Sequence, residues 1–228
     1  MSEHPATASN TGIETINARF ERLRSLNVGI LVFPEIEVLD FAGPFEVFSV
    51  ASRIAGSVTG IASPFTVSTI GASGAVVTAR HGLGIVPHHS FASAPGPDLL
   101  IVPGGVVTQP LGDPATLDWV RSRHQDAALT ASVCTGAFIL AKAGLLDGLT
   151  VTTHWDDIDE LRRDYPALTV AENRPYVDNG RIVTSAGISA GIGMSLHLVG
   201  RILGLDMARQ TARRMEYDWS PMLGDCVA

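Results

Sequence analysis

Leu129-Thr-Ala-Ser-Val-Cys-Thr-Gly-Ala-Phe-Ile-Leu-Ala141 carries more of the fold and the chemistry than any other stretch of the chain. An apolar, β-prone run ends at Cys134, a small residue and a glycine follow, and an apolar helical pattern then begins. The pattern predicts a strand, a sharp turn and a helix, with a thiol at the bend. A helix N-terminus presents unpaired N–H groups and partial positive charge, which favour thiolate over thiol. A cysteine there needs only a modest depression of its pKa to act as a nucleophile, whereas a hydroxyl would need a neighbouring base. The competing reading is a buried structural cysteine, which the turn context disfavours.

Working outward, 27–33 reads as a buried strand closed by Pro34, and 39–53 shows helical spacing with Asp40, Gly43 and Pro44 near its start. A second strand is predicted at 65–70, and a pair of short strands over 76–87, turning at His81-Gly82 outside the main sheet. A strand from Asp98 ends in Pro103-Gly104-Gly105 and leads to a helix at 114–125. Around the quoted stretch, 128–133 is the strand before Cys134 and 135–143 the helix after it. Short strands at 150–152 and 169–171 flank a helix at 156–164, and Asn179-Gly180 between alternating apolar residues signals a hairpin. Helices follow at 189–203 and 207–215, then an irregular tail. Strands alternating with helices imply a mainly parallel sheet covered on both faces. Ligands bind such sheets beyond the carboxyl ends of the strands, where Asp40, Gly104-Gly105 and Cys134 all fall.

A chain of 228 residues, 46% apolar and 17% charged, suits one α/β domain with a full core. Its net charge of -7 argues against nucleic acid as the main partner. Two cysteines, Cys134 and Cys226, make no disulfide framework, so a reducing cytoplasm is expected. Residues 1–25 are polar and mixed in charge, and are expected to be an extension rather than part of the core, with 26–228 as the single domain. They read as neither a signal peptide nor a membrane anchor. No apolar run reaches the roughly 18 residues of a membrane span, so a soluble protein is expected.

Each candidate residue has a bland reading beside its chemical one. Asp40 can cap the helix it begins, or face Cys134 as a protonated acid beside a thiolate. Gly104 and Gly105 can form a plain turn, or let the Gly105 amide pair with the Thr135 amide as an oxyanion hole. His154 can pack and hydrogen-bond, or pair with the cysteine. His88-His89 reads as a surface strand end, because no third ligand stands at metal spacing. Nucleotide-binding glycine patterns are absent from any strand–turn–helix context, and Arg213-Arg214 reads as a solvated face.

Six segments taken in order resemble the PfpI-like superfamily, part of the class I glutamine-amidotransferase-like fold. They are Leu39-Asp-Phe-Ala-Gly-Pro44, Val102-Pro-Gly-Gly105, Ser132-Val-Cys-Thr-Gly-Ala137, Ala143-Gly-Leu-Leu-Asp-Gly148, Thr152-Thr-His-Trp155 and Thr184-Ser-Ala-Gly-Ile-Ser-Ala-Gly-Ile192. The resemblance runs from about Val28 to Gly204. It implies a flavodoxin-like α/β fold with a nucleophile elbow, no cofactor and no metal, and a homodimer acting on a small molecule without membrane or nucleic acid. Two branches are most similar. In the isonitrile hydratases a nucleophilic cysteine works with an aspartate and a following threonine, which match Cys134, Asp40 and Thr135. Gly104, Gly105 and His154 are then expected at the oxyanion and substrate positions. The other branch is the amidase-like sensor domain that precedes a helix-turn-helix module in AraC-type regulators.

The chain ends after the sheet domain, which favours the enzyme over the regulator as an expectation. Peptidase-like members of the superfamily carry a histidine directly after the nucleophile, where this sequence has Thr135, and glyoxal-directed members carry a glutamate where Asp40 stands. The resemblance therefore implies hydration of an isonitrile to an N-substituted formamide. The alternatives are a glyoxalase-type enzyme and a non-catalytic small-molecule or redox sensor.

Overall fold

The computed structural model describes residues 11–23, 25–58 and 63–221; Cys226, like residues 1–10, lies outside the described residues. Helix α1 (Thr11–Leu23) leads to the buried strand β1 (Leu26–Leu31), and α2 (Val38–Val58) to β2 (Phe65–Gly71). A small hairpin of β3 (Val77–Thr78) and β4 (Gly84–Ile85) precedes the edge strand β5 (His89–Ser90). Then come β6 (Leu99–Val102), the short α3 (Thr108–Gly112) and α4 (Pro114–Asp126). Asp113 caps α4 by accepting from the Ala115 and Thr116 amides, with Pro114 at the first helical position. Strand β7 (Leu129–Val133) enters α5 (Gly136–Lys142). The remaining elements are β8 (Thr150–Val151), α6 (Ile158–Asp164), β9 (Thr169–Val170), β10 (Tyr176–Asp178), β11 (Ile182–Ser185), α7 (Ala190–Leu203) and α8 (Leu205–Arg214).

The seven-stranded sheet runs β10-β11-β7-β6-β1-β2-β5. Every pairing is parallel except β10 with β11, the hairpin that turns through Asn179-Gly180 with Gly180 at φ 83. This is the mainly parallel, flavodoxin-like α/β sheet expected of the sequence. β1 pairs β2 on one side and β6 on the other, so the winding reverses beside β1. The crevice beyond the carboxyl ends of these strands is the topological switch point, where open α/β sheets bind ligands. One face of the sheet packs α1, α2, α7 and α8 around Phe48, Met194 and Leu198. The other packs α4, α5 and α6 with the β3–β4 hairpin around Val120, Ile139 and Leu161.

One expectation is corrected here. The segment before residue 26 does not stand wholly outside the core. Ile16 and Phe20, four residues apart on α1, bury in the first cluster, and Arg19 pairs with Asp98 at 3.1 Å. The short strands β8 and β9 pair only with each other, as a separate parallel ribbon beside the main sheet. Among the described residues no helix is long and apolar enough to cross a membrane.

Candidate functional site

β7 delivers Cys134 to a turn with φ 56, the left-handed region that non-glycine residues rarely occupy. The backbone is pinned from two sides. Its N–H donates to the Ser185 and Ala186 carbonyls at 3.2 and 3.3 Å, and its carbonyl accepts from the buried Thr153 hydroxyl at 2.8 Å. Gly136 lets the start of α5 press on the end of β6, since a Cβ there would collide with the Val102 carbonyl. Strain of order 1–2 kcal/mol at a non-glycine residue persists only under such over-determination, and it is found mainly at active sites.

Asp40, fully buried, lies inside the first turn of α2 rather than before it. Its carboxylate turns across to β6, where Oδ2 accepts from the Gly104 N–H at 3.0 Å. The capping reading is thereby set aside. Pro44 has no N–H to offer the Asp40 carbonyl four residues back, which loosens the helix at this point. Oδ1 is buried with no hydrogen-bond partner among the described residues. Burial is the main force on this carboxyl and raises its pKa from 3.8 to about 7. The Gly104 N–H pulls it back and the charge of Glu37 adds to the rise, while the nearby Cys134 thiol and Ile188 N–H lower it by less. Glu37 is itself held by Arg80 at 3.2 Å.

The thiol does not follow the local helix argument. Burial, then the charge of Asp40, push Cys134 up to about 12, against the Thr135 N–H and hydroxyl that favour the thiolate. The resting thiol keeps its proton because desolvation and the Asp40 charge outweigh the two Thr135 groups that favour the thiolate.

Gly104 sits against the nucleophile: a Cβ on it would lie 2.5 Å from Thr135 Oγ1 and 2.9 Å from Cys134 Cβ. The expected oxyanion pair of Gly105 and Thr135 amides needs correction. The Gly105 N–H donates to Thr135 Oγ1 at 2.9 Å, and the Thr135 hydroxyl donates back to the Gly105 carbonyl at 2.9 Å. The Gly105 amide is thus occupied, while the Thr135 N–H acts on the Cys134 sulfur.

His154 ends β8's extension next to the elbow. Its Nδ1 lies 3.4 Å from Asp157 Oδ2, and its ring lies so close to Gly187 that a Cβ there would strike it. Among the described residues no hydrogen bond joins His154 to Cys134. The structure therefore brings Asp40, Gly104, Cys134 and Thr135 together, with Gly105 one bond removed and His154 at the rim. Sequence reasoning missed Thr153, Glu37 and Ile188. Thr153 and Ile188 both lie inside quoted segments, but nothing in the residue type of Ile188 signals its left-handed turn at φ 53, which a β-branched residue rarely adopts. Among the described residues no three His, Cys, Asp or Glu side chains gather as a metal site.

The chain is 34% identical to the isonitrile hydratase of Pseudomonas putida over 198 residues, covering 86% of this chain and 81% of that protein. It is 30% identical to the HTH-type transcriptional regulator CdhR of Pseudomonas aeruginosa, over 81% of this chain but only 53% of the regulator. A crystal structure of a THiJ/PfpI family protein from Pseudomonas syringae superposes with a TM-score of 0.75 at 28% identity, covering 88% of this chain and 78% of that one. The DJ-1/PfpI family model matches residues 27–201, which include Asp40, Gly104, Cys134 and Thr135, and the chain belongs to that family.

Proposed function

We propose that this protein hydrates an isonitrile to an N-substituted formamide. The observation that carries the reading is the placement of two buried groups at the switch point, both gathered at Gly104, which donates its N–H to Asp40 and packs against Cys134. Cys134 stands at a strained turn beside Asp40, whose pKa of about 7 lets it take and return a proton at neutral pH. The similarity to an isonitrile hydratase, which extends over most of both chains, supports it.

Because the resting proton sits on sulfur, ionised Asp40 acts first as the base. It takes the thiol proton as Cys134 Sγ attacks the terminal carbon of R–N≡C, and then returns that proton to the same carbon. The result is a thioimidate, R–N=CH–S–Cys134. Water adds to its carbon, with Asp40 relaying the water's proton to nitrogen, and the thiol departs with the second proton to leave R–NH–CHO. The sum is one isonitrile plus one water. Thr135 holds the turn through Gly105, and its N–H faces the sulfur.

Formamide production from cyclohexyl isocyanide by wild type and Cys134→Ser tests the reading. Turnover that vanishes in the variant supports it, and turnover that survives in the variant overturns the mechanism.

A second reading is a ligand-binding regulatory domain. It is favoured by the burial that keeps Cys134 a thiol and by the match to about half of a transcriptional regulator. Its signature is saturable binding of a small molecule with no product formed.

A further inference from the structure

The β3–β4 hairpin stands outside the main sheet, yet backbone bonds carry it to the reactive centre. The Glu35 N–H donates to the Thr78 carbonyl at 2.9 Å, and the Arg80 N–H donates to the Ile36 carbonyl at 3.1 Å. On its other edge the 35–37 segment bonds the glycine turn after β6. There the Val106 N–H donates to the Glu35 carbonyl at 3.0 Å, and the Glu37 N–H donates to the Gly104 carbonyl at 2.9 Å. The approach needs glycine at 105, where φ is 138 and a Cβ would collide with the Glu35 carbonyl.

Glu37, Gly104 and Asp40 close a ring. Gly104 accepts from the Glu37 N–H and donates its own N–H to Asp40 Oδ2 at 3.0 Å, while the Asp40 N–H donates to the Glu37 carbonyl at 3.2 Å. Glu37 is thereby fixed beside the buried acid. Its side chain, 24% exposed, reaches the hairpin, where Oε2 accepts from the Arg80 guanidinium at 3.2 Å. Arg80 is 46% exposed, and as a staple such a surface pair is worth under about 1 kcal/mol. The field of an unpaired carboxylate matters more to a neighbouring group that burial has removed from water. Glu37 and Cys134 are the titratable groups that act on Asp40, beside the N–H groups of Gly104 and Ile188. Cys134 holds its proton at neutral pH, which leaves Glu37 as the charge.

We propose that Glu37 and Arg80 form a relay that sets how readily Asp40 gives up its proton: the Glu37 carboxylate holds the proton on, and Arg80 weakens that hold by pairing with Glu37. Neither side chain touches the reacting atoms, so both are positioning residues. With Arg80 in place, Asp40 ionises at a lower pH than it would beside a bare Glu37, and so supplies the base that the first proton transfer needs. That consequence rests on the hydratase reading, whereas the titration of Asp40 itself does not.

The test is a pH titration of the Asp40 carboxyl carbon by NMR on aspartate-labelled protein, with the resonance assigned by its loss in Asp40→Asn. It compares wild type, Glu37→Gln, Arg80→Ala and the double variant, all of which keep the backbone bonds of the ring and the hairpin. The midpoint is expected to fall by about half a pH unit in Glu37→Gln and to rise by about as much in Arg80→Ala. Added to Glu37→Gln, Arg80→Ala is expected to move nothing, because the charge it modifies is gone. Arg80→Lys keeps the charge and is expected near wild type. A wild-type midpoint in Arg80→Ala overturns the relay. An equal shift in both backgrounds also overturns it, since Arg80 would then act on Asp40 directly. The acid limb of kcat/KM for cyclohexyl isocyanide is expected to move with the midpoint. Midpoints that move in the expected order while no protein turns over support the relay and overturn the hydratase reading.

Discussion

Thr135 and Gly105, thirty residues apart, bond each other in both directions: the Gly105 N–H donates to Thr135 Oγ1, and the Thr135 hydroxyl donates to the Gly105 carbonyl, each at 2.9 Å. One hydroxyl thus satisfies both backbone polar groups of Gly105, just past β6, and ties them to the nucleophile's turn. Thr135→Val keeps the shape and removes both bonds. We expect a loss of about 1–3 kcal/mol in urea denaturation, with Thr135→Ser close to wild type. A valine variant as stable as wild type would show that this pair does not hold the turn.

Asp40 sets a pH dependence with a definite sign. Its pKa is 3.8 when solvated and about 7 in the fold, so between those values the folded chain holds a proton that the unfolded chain releases. Its contribution to stability is therefore fully present below about pH 4, declines as pH rises through about 7, and is then gone; the whole change is up to roughly 4 kcal/mol. Asp40→Asn carries no such proton. Unfolding of both proteins at pH 5 and pH 8 should show the variant's advantage growing with pH. A constant difference would mean that Asp40 does not titrate in this window.

Gly104→Ala tests how closely the chain packs at the site. The added methyl would lie 2.5 Å from Thr135 Oγ1, 2.6 Å from Thr135 N and 2.9 Å from Cys134 Cβ. Two of these atoms belong to the elbow itself and cannot rotate away. The expected result is loss of turnover with a stability cost of about 1–3 kcal/mol and an unchanged far-ultraviolet dichroism spectrum. Full activity would place the reacting groups elsewhere.

Far from the chemistry, Asp178 anchors the β10–β11 hairpin to α7. Burial pushes its pKa up, but His197 at 2.6 Å, Arg201 at 2.8 Å and the Gly180 N–H at 2.7 Å outweigh it and hold the carboxyl below its ordinary range. Asp178→Asn removes the negative charge next to the buried Arg201. A loss of about 3–5 kcal/mol is expected, measured as a lower urea midpoint. A loss below about 1 kcal/mol would mean the charge is replaceable at this position.

The elements were legible wherever their causes are local. Alternating apolar residues and Asn179-Gly180 predict the hairpin, and the run into Cys134 predicts strand, turn and helix, all of which the structure contains. α1 was misjudged because its polar composition hides two apolar residues on one face, and only contact with α7 and β7 shows where they go. The pairing of β8 with β9 was not legible, because a two-residue strand carries no signal of its partner.

The sequence alone determined which residues stand at the carboxyl ends of the strands, because that follows from short-range patterns of apolar residues, glycine and proline. It named Asp40, Gly104, Cys134 and Thr135 for that reason. What these groups do to one another was decided only in three dimensions. Gly104, sixty-four residues from Asp40, turns a possible helix cap into a buried acid. Thr135 occupies the Gly105 amide that looked free for an oxyanion. Burial under both layers keeps on Cys134 the proton that its helix would have released. Desolvation and hydrogen-bond pairing depend on which distant atoms arrive, and no local pattern encodes that.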